Sequence, residues 1–227
     1  MFEVIFEVYP RSENWELYLS TAGGLRPLLE SQKGFIENVR YKSLTRPGWV
    51  LSLSDWDNEK ALIRWRTQMK HHHAQKAGRH EILEDYHLRV GQVTSDTKLQ
   101  SSSGVQNSTK QERFDETEVG EAKTVSLINA TFKTPEGQGR ISAYEVVEAL
   151  GIHTTSCKGL VAWDVFEAIL TPGDMLILCS WIDEKTATES LQGVSDGQRM
   201  RQIRIIRDYG MFDRREAPQY YPDVSEK

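Results

Sequence analysis

Three adjacent histidines, His71, His72 and His73, follow Trp65 in a stretch with helical periodicity. Trp65, Met69, His72 and Lys76 recur at spacings of four, three and four, which sets them along one helix face. On such a face an indole can stack on a planar substrate, and an imidazole can move a proton near neutral pH. Trp65, His72 and His73 are therefore the candidate catalytic groups, and Met69 adds an apolar wall. The plainer account is an amphipathic helix with Trp65 in the core and the histidines in water. Three consecutive histidines cannot share one helix face, so no metal site is expected from the triplet.

The elements that must position these side chains are written twice. Residues 31–60 lie over residues 156–185 at a constant offset of 125, and ten of the thirty positions are identical. The identities include Gly34/Gly159, the Pro47-Gly48/Pro172-Gly173 turns, Leu51/Leu176, Leu53/Leu178 and Trp56/Trp181. Two copies are too few for a solenoid and fit two homologous domains in one polypeptide.

Residues 2–9 alternate as a strand, with Phe2, Val4, Phe6 and Val8 on one face and Glu3, Ile5, Glu7 and Tyr9 on the other. Ser12 opens a helix that Gly23-Gly24 and Pro27 should kink or break, and Gly34 ends it. A hairpin of strands 35–43 and 49–56 follows, then a helix running with interruptions over 59–83 and capped by Asp57 or Asn58, then a strand from Tyr86 to Val93. The order β-α-β-β-α-β is the ferredoxin-like unit. The second unit repeats it: strand 124–132, helix 139–150, hairpin 159–181, helix 183–204 and strand 205–212.

The expected organisation is a first domain over 1–93, a polar linker over 94–122, a second, degenerate domain over 123–214 and a polar tail over 215–227. The fold class is α+β. Each unit leaves one sheet face bare, and packing the two bare faces together closes an α/β barrel with a cavity inside. Val50, Ser52, Ser54 and Trp56 are assigned to that bare face, with Met175, Ile177, Cys179 and Trp181 matching them. Glu7 and Tyr9 on the first strand and Asn38 and Arg40 on the second are then cavity candidates for substrate binding, as is Trp56. A cross-strand ion pair is the alternative for Glu7 with Arg40, and packing the alternative for Trp56.

Bulk properties exclude several functions. A net charge of −5 gives no basic footprint for nucleic acid. No apolar run is long enough for a membrane helix, and the N-terminus lacks the pattern of a secretory signal, so a cytoplasmic protein is expected. Cys157 and Cys179 have no metal or redox spacing.

The segment from Lys33 to Val90 resembles the antibiotic biosynthesis monooxygenase family. The resemblance rests on Gly34-Phe35, the long hairpin, the run from Ser54 to Trp65 with its S-x-W-x-x-x-x-A-L-x-x-W pattern, and the H-x-A-Q motif after it. It implies a dimeric-type α/β barrel, a small aromatic or polyketide-type substrate, O2 as co-substrate and no bound cofactor, with a homodimer possible. In cofactor-free members a Trp and an Asn hold an anionic substrate; Trp65 matches the Trp, and Ala61 stands where the Asn is expected. The alternative is a non-catalytic small-molecule or protein-binding barrel. Haem degradation is a third option, and Gln75 stands where that branch has its histidine.

Overall fold

The computed structural model describes residues 1–100, 119–132, 140–194 and 197–213. Most of the expected linker and all of the 215–227 tail lie outside them.

The first half runs β1 (Phe2–Pro10), α1 (Trp15–Glu30), β2 (Phe35–Ser43), β3 (Val50–Trp56), α2 (Glu59–Arg66), α3 (Met69–Ala77), a π-helical turn (Gly78–Ile82) and β4 (Leu83–Asp96), closed by the short α4 (Thr97–Gln100). The second runs β5 (Thr124–Thr131), α5 (Ala143–Ala149), β6 (Leu160–Ala168), β7 (Asp174–Trp181), α6 (Glu184–Ser190) and β8 (Arg199–Gly210). The eight strands close one barrel in the order β1-β3-β2-β6-β7-β5-β8-β4. The pairing therefore occurs within the chain, the two halves meeting at a β4–β8 seam and a β2–β6 seam.

The seams differ. β4 and β8 pair from His87↔Gly210 to Asp96↔Arg201, and Gly91 makes the approach possible: a Cβ there would sit 2.2 Å from the Ile203 Cγ2. The β2–β6 seam is short, from Tyr41↔Ala168 to Ser43↔Phe166. Asp164, which is buried, reinforces it by accepting from Ser43 Oγ (2.8 Å), Thr45 Oγ1 (2.6 Å) and Arg46 Nε (2.8 Å).

The barrel interior is filled. Ile5, Leu51, Leu53, Val125, Leu127, Phe166, Leu176, Leu178 and Ile203 pack together there. This reverses the assignment of faces on the central strands. Leu51 and Leu53 point inward with their repeats Leu176 and Leu178, whereas Ser52 and Ser54 face the helices. Both faces of these strands are covered, so alternation alone does not say which is inside. Charged side chains pack inside as well, with Glu3, Glu7, Arg89 and Arg201 all buried.

Three other expectations are corrected. α1 is continuous from Trp15 to Glu30, with Pro27 inside its last turn, where it has no N–H to donate back to Gly23 and the helix ends three residues later. β4 extends to Asp96, past the expected boundary at 93. The last helix stops at Ser190 and the strand begins at Arg199, because β8 must be long enough to pair along β4.

Candidate functional site

The interruption expected in the helix over 59–83 falls at Thr67-Gln68. Asn58 caps α2 by accepting from the Ala61 N–H at 3.0 Å. The Gln68 side chain caps α3 by accepting from the His71 N–H at 2.9 Å. The chain turns between the two helices, so Trp65 and Met69 do not share a stripe. The turn instead lays His71 on Trp65, with ring centroids 4.2 Å apart and planes 14° from parallel. His71 Nδ1 is 2.9 Å from the Trp65 carbonyl oxygen. A carbonyl only accepts, so Nδ1 carries the proton and Nε2 is left as the basic nitrogen. Burial pushes the His71 imidazole down to about 4, against the raising effect of the Trp65 carbonyl, so it is neutral at physiological pH.

This pair stands in the wall of a cavity of about 780 Å³ between α1, α2 and α3 and the outer face of the first four strands. Val4, Phe6, Leu88 and Val90 form an apolar floor, interrupted by Asn38, Arg40, Ser52 and Ser54. Tyr18, Leu25 and Leu29 come from α1, and Arg207 and Tyr209 reach in from β8 of the second half. The volume lies in the range typical of small-molecule sites.

In the second half the same space is packed. Asn38, Arg40, Ser52 and Ser54 correspond at the offset of 125 to Trp163, Val165, Ile177 and Cys179. Those four side chains belong to a cluster with Val146, Val147, Leu150 and Leu191 from the helical side. Small and polar residues on β2 and β3 thus leave the first half open where large apolar ones fill the second.

The candidate residues divide accordingly. Trp65, His72, Asn38 and Arg40 line the cavity. Glu7 points into the barrel, where it is paired with Arg89 and Arg46 rather than with Arg40. The Arg89 and Arg46 guanidinium groups hold its carboxyl below the usual range although burial opposes them. Tyr9 stacks on Trp49 at 5.7 Å, beside the β2–β3 turn. Trp56 is fully buried edge-on to Phe35 at 5.5 Å and donates to Ser54 Oγ. Met69 and His73 are exposed and outside the lining. These placements follow from the reversed faces and from the helix break.

Tyr18, His71 and Arg207 are lining residues the spacing argument missed. The signal for His71 was its place three residues after a side chain able to cap; Arg207 had none, because it comes from the other repeat. Gln75 lines the cavity at its exposed mouth. Among the described residues, no group of three or more His, Cys, Asp or Glu is placed to hold a metal. No helix there is long and apolar enough to cross a membrane.

Comparison with known proteins gives the chain its relatives. The model of the family described as antibiotic biosynthesis monooxygenase matches residues 1–77. A protein of Pyricularia oryzae named jasmonate monooxygenase ABM is 47% identical over 225 residues, covering 99% of this chain and 100% of that one. The uncharacterized protein YqjZ of Bacillus subtilis is 32% identical over 104 residues, 45% of this chain and 87% of its own. Among solved structures, an aldoxime dehydratase in complex with butyraldoxime shares the fold, with a TM-score of 0.51 at 9% identity, covering 90% of this chain and 79% of that one. With a full-length relative at that identity and a family match over residues 1–77, the chain belongs to the antibiotic biosynthesis monooxygenase family.

Proposed function

We propose that this protein is a monooxygenase that oxidises one small, largely apolar molecule in the cavity beneath α1, α2 and α3. The observation that carries this reading is the contrast between the halves. One repeat keeps open, around a neutral imidazole, the space that the other fills with side chains. His71, held by the Trp65 carbonyl, takes the place of His72 and His73 as the group that accepts a substrate proton. His72 and Trp65 shape the wall beside it.

Jasmonate, a carboxylic acid on a cyclopentanone with a hydrocarbon arm, is the substrate supported by the name of the full-length relative. O2 is the co-substrate, with no bound cofactor. An activated methylene supplies both electrons itself: CH2 and O2 give C=O and H2O. Hydroxylation of an unactivated C–H needs a two-electron reductant and two protons from solution for the second oxygen atom. Anthrone-type substrates belong to the first stoichiometry, a jasmonate hydroxylated on its arm to the second. Haem is not part of the reading, because Gln75 offers an amide where the haem-degrading branch has an imidazole.

The test is incubation with jasmonic acid or an anthrone under labelled dioxygen, with and without a two-electron reductant. A product gaining one labelled oxygen atom, lost in His71→Phe, is expected. Ligand binding with neither O2 uptake nor product would leave a binding barrel instead.

A further inference from the structure

We infer that Arg40, set against Tyr18, is the anchor for a carboxylate on the cavity's ligand. This rests on the reading of the cavity as the substrate site and names the chemical group that site selects. Among the described residues, the lining contains Arg26, Arg40, Arg66, Lys76, Arg79 and Arg207 and not one Asp or Glu, in a chain of net charge −5. A cavity of one sign with apolar walls concentrates ligands of the opposite charge.

Arg40 differs from the other cations of the lining in carrying a buried N–H that is left without a partner. Arg26 is paired with Glu30 at 2.7 Å, and Arg207 with Glu59 at 2.9 Å. Arg40 donates from Nη2 to the Ala22 carbonyl at a long 3.4 Å and hydrogen-bonds the Tyr18 phenol. Its Nε is buried without a hydrogen-bond partner. A buried guanidinium N–H left unsatisfied is costly, and a carboxylate laid against its edge satisfies two N–H groups at once. Burial raises the Tyr18 phenol above its ordinary value, so it stays a neutral hydrogen-bonding group at the same spot. The anchor belongs to one half alone, because the corresponding residue is Val165, fully buried in the packed cluster.

The ligand class is a compact apolar body ending in a free carboxylate, its hydrocarbon part against Phe6, Leu25 and Leu88. Esters and amides of the same body lose the charge-assisted pair and should be discriminated against.

The experiment is calorimetric binding under argon, so that no turnover intervenes, with jasmonic acid and its methyl ester, and with octanoate and octanol as simpler probes. The acids are expected to bind the wild-type protein tighter than their neutral partners by on the order of 10- to 100-fold. Arg40→Gln should remove that preference by weakening the acids alone, and Arg40→Lys should restore part of it. Equal binding of acid and neutral ligand by the wild-type protein, equal loss of both in Arg40→Gln, or no binding of any probe would overturn the anchor. If Arg40→Gln fails to fold, the wild-type comparison can still overturn the anchor, and Arg40→Lys, which keeps the charge but not the two-pronged geometry, tests the assignment by weakening the acids alone. Acid-selective binding without any oxidation in air would keep the anchor and remove the monooxygenase reading.

Discussion

Arg89 and Arg201 occupy the same place in the two repeats, and each guanidinium reaches into the opposite half. Arg89 stands beside Ile5 on β1, and Arg201 beside Leu127 on β5. Arg89 Nη1 donates to Ser180 Oγ at 2.8 Å, while Arg201 Nη1 is 3.2 Å from Asp55 Oδ2. Ser180 and Asp55 are themselves related by the offset of 125. The contacts have diverged in charge: Arg201 also meets Glu3 at 2.7 Å, and Arg89 meets Glu7.

Arg201→Met should be among the most damaging single substitutions. It would leave Glu3 and Asp55 buried without their shared cation, and removing one partner of such a cluster costs about 3–5 kcal/mol. Urea unfolding should show that loss. An unchanged midpoint would mean that the charges are not dry when the chain is folded.

The same cluster sets a pH dependence. One guanidinium faces two carboxyls, and burial pushes Glu3 up to about 8 and Asp55 up to about 6, against the lowering pull of Arg201. The folded chain then holds protons that the unfolded chain has released. This part of the stability is fully present below about pH 4 and is lost as the pH rises through about 6 and 8. Asp96 and Glu7 have lowered values and act oppositely, their contribution fading as the pH falls below the usual carboxylate range. Unfolding free energy measured from mildly acid to mildly alkaline solution should decline, and Glu3→Gln should flatten the upper part of the curve.

His71 makes a separate claim on the rate profile. With its imidazole pushed down to about 4, kcat/KM should stay level well below the ordinary histidine value and fall only near pH 4. His71→Phe keeps the stack on Trp65 but removes the base, and should lower kcat by on the order of 100-fold or more. An acid limb that survives in His71→Phe would assign it to another group.

Filling the cavity should separate binding from folding. Ser52→Ile copies what the second half has at Ile177, where the side chain is fully buried. Ligand affinity should fall at least about 10-fold, while the melting temperature stays within a few degrees, because apolar burial offsets the lost Asn38–Ser52 hydrogen bond. Asn38 keeps its second acceptor, the Leu53 carbonyl at 2.9 Å. Undiminished binding would place the ligand elsewhere.

The order of elements and their duplication were legible because the offset of 125 brings turn glycines, inward leucines and buried tryptophans into coincidence. What failed was which side of a strand faces which neighbour. Leu51 and Ser52 alternate plainly, but the barrel interior and the helices both cover their strand, so polarity carried no label for inside. The Trp65–His71 stack depended on a break at Thr67-Gln68 that helical spacing does not announce. β8 was hidden for a related reason: Arg199 and Arg201 look like the solvated face of a helix until their partners are known. Those partners, Asp96, Glu3 and Asp55, all lie in the other half.

Arg207 and Tyr209 carry a consequence for how such a molecule can change over time. They come from the half whose own interior is packed, yet they close the wall of its neighbour's cavity. In a barrel assembled from two identical subunits, every substitution is made twice, so a side chain that suits an opening must also be tolerated in its mirror position. Joining the copies removes that constraint. One half becomes free to hollow out and specialise while the other hardens into its support, and neither is dispensable afterwards. Saturation by ligand should then follow a simple hyperbola with one molecule per chain, because the described residues of the second half pack the space that a twin site would need.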